Sequence, residues 1–136
     1  MDTQIFVNIP VKDLDKSKSF YEGLGFTINP QFTDETAASV EISDTIYVML
    51  LTHDKAKQFT SKEIADAHET TEVLNALSVG SKEEVNELAD RALNNGGTEA
   101  AEPQDHGFMF QRSFNDPDGH IWEVLWMDME AVESNQ

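Results

Sequence analysis

Cysteine is absent from the 136 residues, which excludes disulfides, thiolate metal sites and a cysteine nucleophile, and agrees with a reducing compartment. Basic residues are scarce: nine Lys and Arg stand against 26 Asp and Glu, a formal charge of −17 at neutral pH. With no basic cluster to reverse that sign locally, a phosphate backbone is repelled, and nucleic acid is not expected as a partner. No apolar run approaches the ~20 residues that span a bilayer, and MDTQIFVNIP has no basic segment leading into a long apolar one. The expectation is a cytoplasmic chain with no membrane partner. The four histidines, His53, His68, His106 and His120, form neither an HExxH nor an HxH pair, so no local metal motif is present.

The length suits one domain with a real core. IFVNIPV, residues 5–11, reads as a strand, and DLDKSKSFYEGLGF follows as a helix with Asp13 at its N-cap. VLNALSV, residues 73–79, reads as a second opening strand. The following SKEE forms a capping box from Ser81 and Glu84, and Val85, Leu88, Ala89, Ala92 and Leu93 recur at helical spacing. After each helix come three strand candidates: TINPQF, AASVEIS and TIYVMLL, then GTEAAEP, FMFQRSFN and HIWEVLWM. The halves match at offsets of 74 residues for the closing hairpins and 68 for the opening strands, which reads as a repeated βαβββ module. Module one covers about 4–53, a polar connector 54–71, module two about 72–130, and an acidic tail 131–136, all within one domain. Thr60 and Glu63 suggest a capping box for one short helix in the connector, a segment long enough to cover a cavity mouth. The tail is expected to fray.

Within HIWEVLWM, period-2 alternation places Glu123 with Ile121 and Leu125 on one face, and Trp122, Val124 and Trp126 on the other. A carboxylate among hydrophobes is either an edge-strand acid that reaches solvent or pairs with Arg112, or an acid lining a cavity. His53 and His68 flank the polar connector, and His120 suits a turn-capping role. His106, in QDHG, is either a loop residue or an acid or base at a cavity mouth, with Asp105 to orient its ring and Gly107 to admit a close ligand. Asn8 shares a face with Phe6 and Pro10 and can line a pocket.

FVNIPVKDLDKSKSFYEGLGF and NDPDGHIWEV, in that order, resemble the opening strand and helix and the closing hairpin of the vicinal oxygen chelate superfamily, which holds glyoxalases, extradiol dioxygenases, and fosfomycin- and bleomycin-resistance proteins. FVNIPV, VMLLTH, PQDHGFMF and DGHIWEVLWMD look like its subgroup labelled predicted lactoylglutathione lyase. The resemblance implies an α+β fold in which two βαβββ modules form a curved mixed sheet, a cup, with helices on the convex face. It also implies a homodimer and a divalent metal held by four strands. The family's ligand places fall on Phe6, Met49, Leu74 and Glu123, so only Glu123 can coordinate and the metal is disfavoured. The implied function is binding of a small molecule in the cup, with Phe6, Asn8, Met49, Leu74 and Arg112 as substrate contacts. An enzyme would be a glyoxalase-like lyase or isomerase with Glu123 and His106 as catalytic groups; the alternative is a metal-free protein that binds or sequesters a small molecule.

Overall fold

The computed structural model describes residues 2–134, with side chains as far as Ala131. The first strand, β1, spans Ile5–Val11 as expected. Asp13 then caps helix α1, Leu14–Gly23, its carboxylate accepting the Lys16 N–H at 3.1 Å. Strands β2 (Thr27–Asn29), β3 (Ala37–Glu41) and β4 (Ile46–Thr52) complete module one, with a sheet order of β1-β4-β3-β2. β1 runs parallel to β4, and the other pairs are antiparallel. After the short helix α2, His53–Ala56, module two repeats the plan. Strand β5 (Asn75–Ser78), helix α3 (Lys82–Asn94) and strands β6 (Thr98–Asp105), β7 (Met109–Asn115) and β8 (Ile121–Met127) give the order β5-β8-β7-β6. The chain is thus α+β, two βαβββ modules each with its own four-stranded mixed sheet. The compact units are Met1–Asp66 and Ala67–Gln136, divided inside the connector.

Each sheet buries one face under its long helix. In α1, Leu14, Ser17, Phe20 and Tyr21 recur at helical spacing and are buried, as are Val40, Val48 and Leu50 on the sheet. In module two, Val85 and Ala89 of α3 cluster with Val124, and Leu88, Phe110 and Trp126 pack around them. Each fully buried Val or Leu contributes roughly 1.5–3 kcal/mol relative to exposure. This burial, more than local propensity, fixes which strand face turns inward.

Several elements depart from expectation. The strand expected over TINPQF stops at Asn29, because Pro30 opens a 3-10 turn in which the Gln31 N–H donates to the Asn29 side-chain oxygen at 3.0 Å. The strand expected over residues 73–79 forms only at Asn75–Ser78. The connector helix lies at His53–Ala56, capped by Thr52, whereas the Thr60 hydroxyl accepts the Lys62 N–H in a turn. The tail is helical over Met129–Ser134, started by the Asp128 carboxylate accepting the Glu130 and Ala131 N–H groups. The rest of the tail, residues 135–136, lies outside the described residues.

The repeat is visible in the strand registers. In module one Met49 lies between Asn8 of β1 and Ser39 of β3. In module two Glu123 lies between Ala76 of β5 and Ser113 of β7. The 74-residue offset carries Met49 to Glu123 and Ser39 to Ser113, and the 68-residue offset carries Asn8 to Ala76, so both offsets describe one ladder.

Candidate functional site

Residues directly opposite in a ladder share a sheet face. Phe6 is opposite Tyr47 and Asn8 opposite Met49, so all four stand on the face of module one turned away from α1. The Phe6 and Tyr47 rings stack with centroids 4.8 Å apart and planes 11° from parallel. The Tyr47 ring is tethered, its hydroxyl donating to the Asp44 carbonyl at 3.1 Å, and Gln4 donates to the same carbonyl at 3.0 Å. Glu41 lies opposite Tyr47 on β3 and accepts from the Asn29 amide at 3.0 Å. At the other end of this face, Ala37 and Leu51 form a buried cluster with Ala56 of α2, and Met49 and Ile64 pack against it. The connector therefore covers the Leu51 end and leaves Phe6, 52% exposed, open. The Asn8 amide donates to the Phe6 carbonyl at 3.2 Å.

In module two Glu123 stands on the face turned away from α3, because its neighbours Trp122 and Val124 are buried on the other. Its ladder neighbours are the small Ala76 and Ser113. Among the described residues the Glu123 carboxylate makes no hydrogen bond or ion pair. Leu74, just before β5, is 56% exposed. Beyond Ile121, connector residues 67–71 run past the turn at Asp116–Gly119 and leave a groove of about 260 Å³, lined by His68, Thr70 and Thr71 opposite Thr98, Asn115 and Ile121. In that turn the buried Asp116 carboxylate accepts the Asp118 and His120 N–H groups, both at 2.9 Å. His120 thus takes part in the turn, through its backbone.

The structure corrects what was expected of Arg112 and of His106. Arg112 lies opposite Val124, on the helix-covered face, so it cannot pair with Glu123. It donates instead to Asp90 at 2.8 Å and Asn86 at 3.1 Å on α3, its side chain only 13% exposed. His106 occupies the tip of the β6–β7 hairpin, its N–H bonded to the Met109 carbonyl. Met109 pairs with Met127, four positions beyond Glu123, or about 13 Å at strand rise. The structure therefore does not bring His106 and Glu123 together. Nor does Asp105 orient the His106 ring: its carboxylate accepts the Gly107 N–H at 2.9 Å and faces Lys82 at 3.6 Å. The Gly107 bond, with Lys82 adding to it, holds the Asp105 carboxyl below its ordinary pKa. The His106 ring faces Gln104 at 3.4 Å.

The donor set does not fit the divalent metal that the resemblance implies. Phe6 and Leu74 offer no donor atom, and the Met49 thioether is a soft ligand packed into an apolar cluster. Among the described residues no group of three or more His, Asp or Glu side chains is placed to hold an ion. Tyr47, Glu41 and the covering Ile64 were missed in the sequence, because alternation gives a residue's face but not its partner across the ladder. The signal that could have found Tyr47 is the alternation of YVMLL, in which it shares a face with Met49.

The model of the Glyoxalase/Bleomycin resistance protein/Dioxygenase superfamily matches residues 4–124. Among solved structures, a hypothetical protein from S. aureus is 30% identical with a TM-score of 0.77, over 93% of this chain and 95% of that one. A glyoxalase/bleomycin resistance protein/dioxygenase family enzyme from Burkholderia phytofirmans is 20% identical with a TM-score of 0.75, over 93% and 99%. The fosfomycin resistance protein FosX from Mesorhizobium loti is 16% identical with a TM-score of 0.70, over 97% and 98%. These last two likenesses bear on the fold alone. No functionally curated protein matches the chain.

Proposed function

The chain belongs to the glyoxalase/bleomycin resistance protein/dioxygenase superfamily, and from that premise we propose that it binds a small molecule on its open sheet faces without a catalytic metal. One observation carries this reading: of the four places to which the resemblance assigns the family's ion, three hold the side chains of Phe6, Met49 and Leu74, none of them a hard donor. Two of these, Phe6 and Leu74, are exposed apolar side chains. Such groups add affinity by burying area and polarise nothing. Glu123, half-buried among small neighbours, is the polar anchor. The lactoylglutathione lyase reading would need a group that stabilises the enediolate oxygen, and losing one such stabiliser typically costs about 10²–10³ in rate. The proposal includes a homodimer, supported by the family's habit of pairing modules across chains, and a cytoplasmic location, supported by the lack of cysteine.

The test supplies the purified protein with zinc, nickel, manganese or cobalt and the hemithioacetal of methylglyoxal and glutathione. The expected result is no more than trace isomerisation, while a screen of small amphipathic molecules raises the thermal midpoint, because a ligand of the native state alone stabilises it. Metal-dependent turnover that disappears in Glu123→Gln would overturn the reading.

A further inference from the structure

On the open face of module one, strands β1, β3 and β4 present a single charged side chain, Glu41, and no Lys or Arg. Glu41 lies in the same ladder row as Tyr47 and Phe6, so the row reads ring, ring, carboxylate across three adjacent strands. Two features make the rings a prepared surface. Their stacking is already formed, at 4.8 Å and 11°. The Tyr47 hydroxyl is also tied to the Asp44 carbonyl, so little freedom is left to lose on binding. Phe6 sits on β1, an edge strand of its sheet, with half its surface exposed. A flat molecule can extend the stack there. The π-faces of both rings are negative, Glu41 adds a full negative charge, and the chain as a whole carries −17. An anion on this row would meet three unfavourable fields and no cationic side chain from these strands. A planar cation would meet three favourable ones.

We propose that the Phe6–Tyr47–Glu41 row is a binding site for planar organic cations, a flat conjugated ring system bearing a protonated amine or amidine. The inference rests on the small-molecule reading above and names the ligand class for it. Phosphonates, carboxylates and glutathione conjugates are excluded from the row by the same charges. The carboxylate of Glu41 accepts from the Asn29 amide of β2, which limits its freedom at the end of the row.

The experiment compares three tricyclic probes of similar shape at pH 7.5: proflavine as the cation, acridine as the neutral ring and anthracene-2-carboxylate as the anion. Binding is read by fluorescence titration in about 0.15 M salt, which screens diffuse attraction to an acidic surface. Proflavine is expected to bind most tightly and the carboxylate least. Phe6→Leu, which leaves every charge in place, should weaken proflavine by about tenfold. Glu41→Gln should weaken proflavine several-fold while leaving acridine unchanged. Unaltered proflavine binding in Phe6→Leu would overturn the proposal, since attraction to net charge alone would then account for it. Binding of none of the three probes would overturn it too. Phe6-dependent binding with no preference for the cation would sink the cation assignment and leave the small-molecule reading standing. That reading fails separately, through metal-dependent turnover.

Discussion

Gly96 and Gly119 both hold a positive φ, 102° and 89°, but in different surroundings. Nothing lies within 4 Å of where a Cβ at Gly96 would stand, whereas one at Gly119 would come within 2.8 Å of the His68 backbone nitrogen and ring Nδ1. Gly96→Ala should therefore cost only the backbone term, about 1–2 kcal/mol. Gly119→Ala adds a collision with main chain that cannot rotate away, and should cost at least about 2 kcal/mol more in urea unfolding. Equal losses in the two variants would mean that residues 67–71 do not hold against the turn. DPDG is a turn sequence whose glycine suits a positive φ, yet nothing in those letters points to His68, 51 positions earlier. The same limit applies to Arg112 and Glu123. Alternation put Glu123 on its face correctly, but the register that aims Arg112 at Asp90 depends on how β7 pairs with β8.

Two stretches, SKEE from Ser81 and TSKE from Thr60, carry the same spacing of a hydroxyl residue and a glutamate, and only one becomes a helix start. Ser81 accepts the Glu84 N–H at 3.1 Å, and Glu84 reaches back to the Gly80 N–H. What separates the two is the sequence that follows. Val85, Ala89 and Ala92 give α3 an apolar stripe to bury, whereas Ile64 is the one large apolar residue of its stretch and packs as a single plug on the Ala37, Leu51 and Ala56 cluster. Helices in proteins persist mainly through tertiary packing of such a stripe, so a cap without one is not enough. Ser81→Ala is expected to lower stability by about 1 kcal/mol. Thr60→Ala should stay within about 0.5 kcal/mol, as for other exposed turn positions. A loss of about 1 kcal/mol in Thr60→Ala would show that the connector holds a helix start there after all.

Across the whole chain, like charges crowd a small surface: 26 acids against nine bases. Self-repulsion of that kind weakens the compact state and is screened by salt. The thermal midpoint should rise steadily as NaCl goes from about 10 mM to about 0.5 M. A flat response would mean that the charges are already offset by bound counterions or by a partner. Composition displayed this charge at once, and the repeated strand–helix order displayed the module plan. The open faces were only partly legible, because α2 and Ile64 cover one end of module one by a path that polar letters do not encode. The matching ladders have a further meaning in evolutionary terms. Asn8–Met49–Ser39 and Ala76–Glu123–Ser113 are two copies of one frame, and the central place holds a thioether in one copy and an acid in the other. Duplication of this kind lets one half give up a donor while the other keeps its own. The frame is indifferent to which side chain occupies that place, so each copy can change its chemistry there independently, with no change to the backbone that carries it.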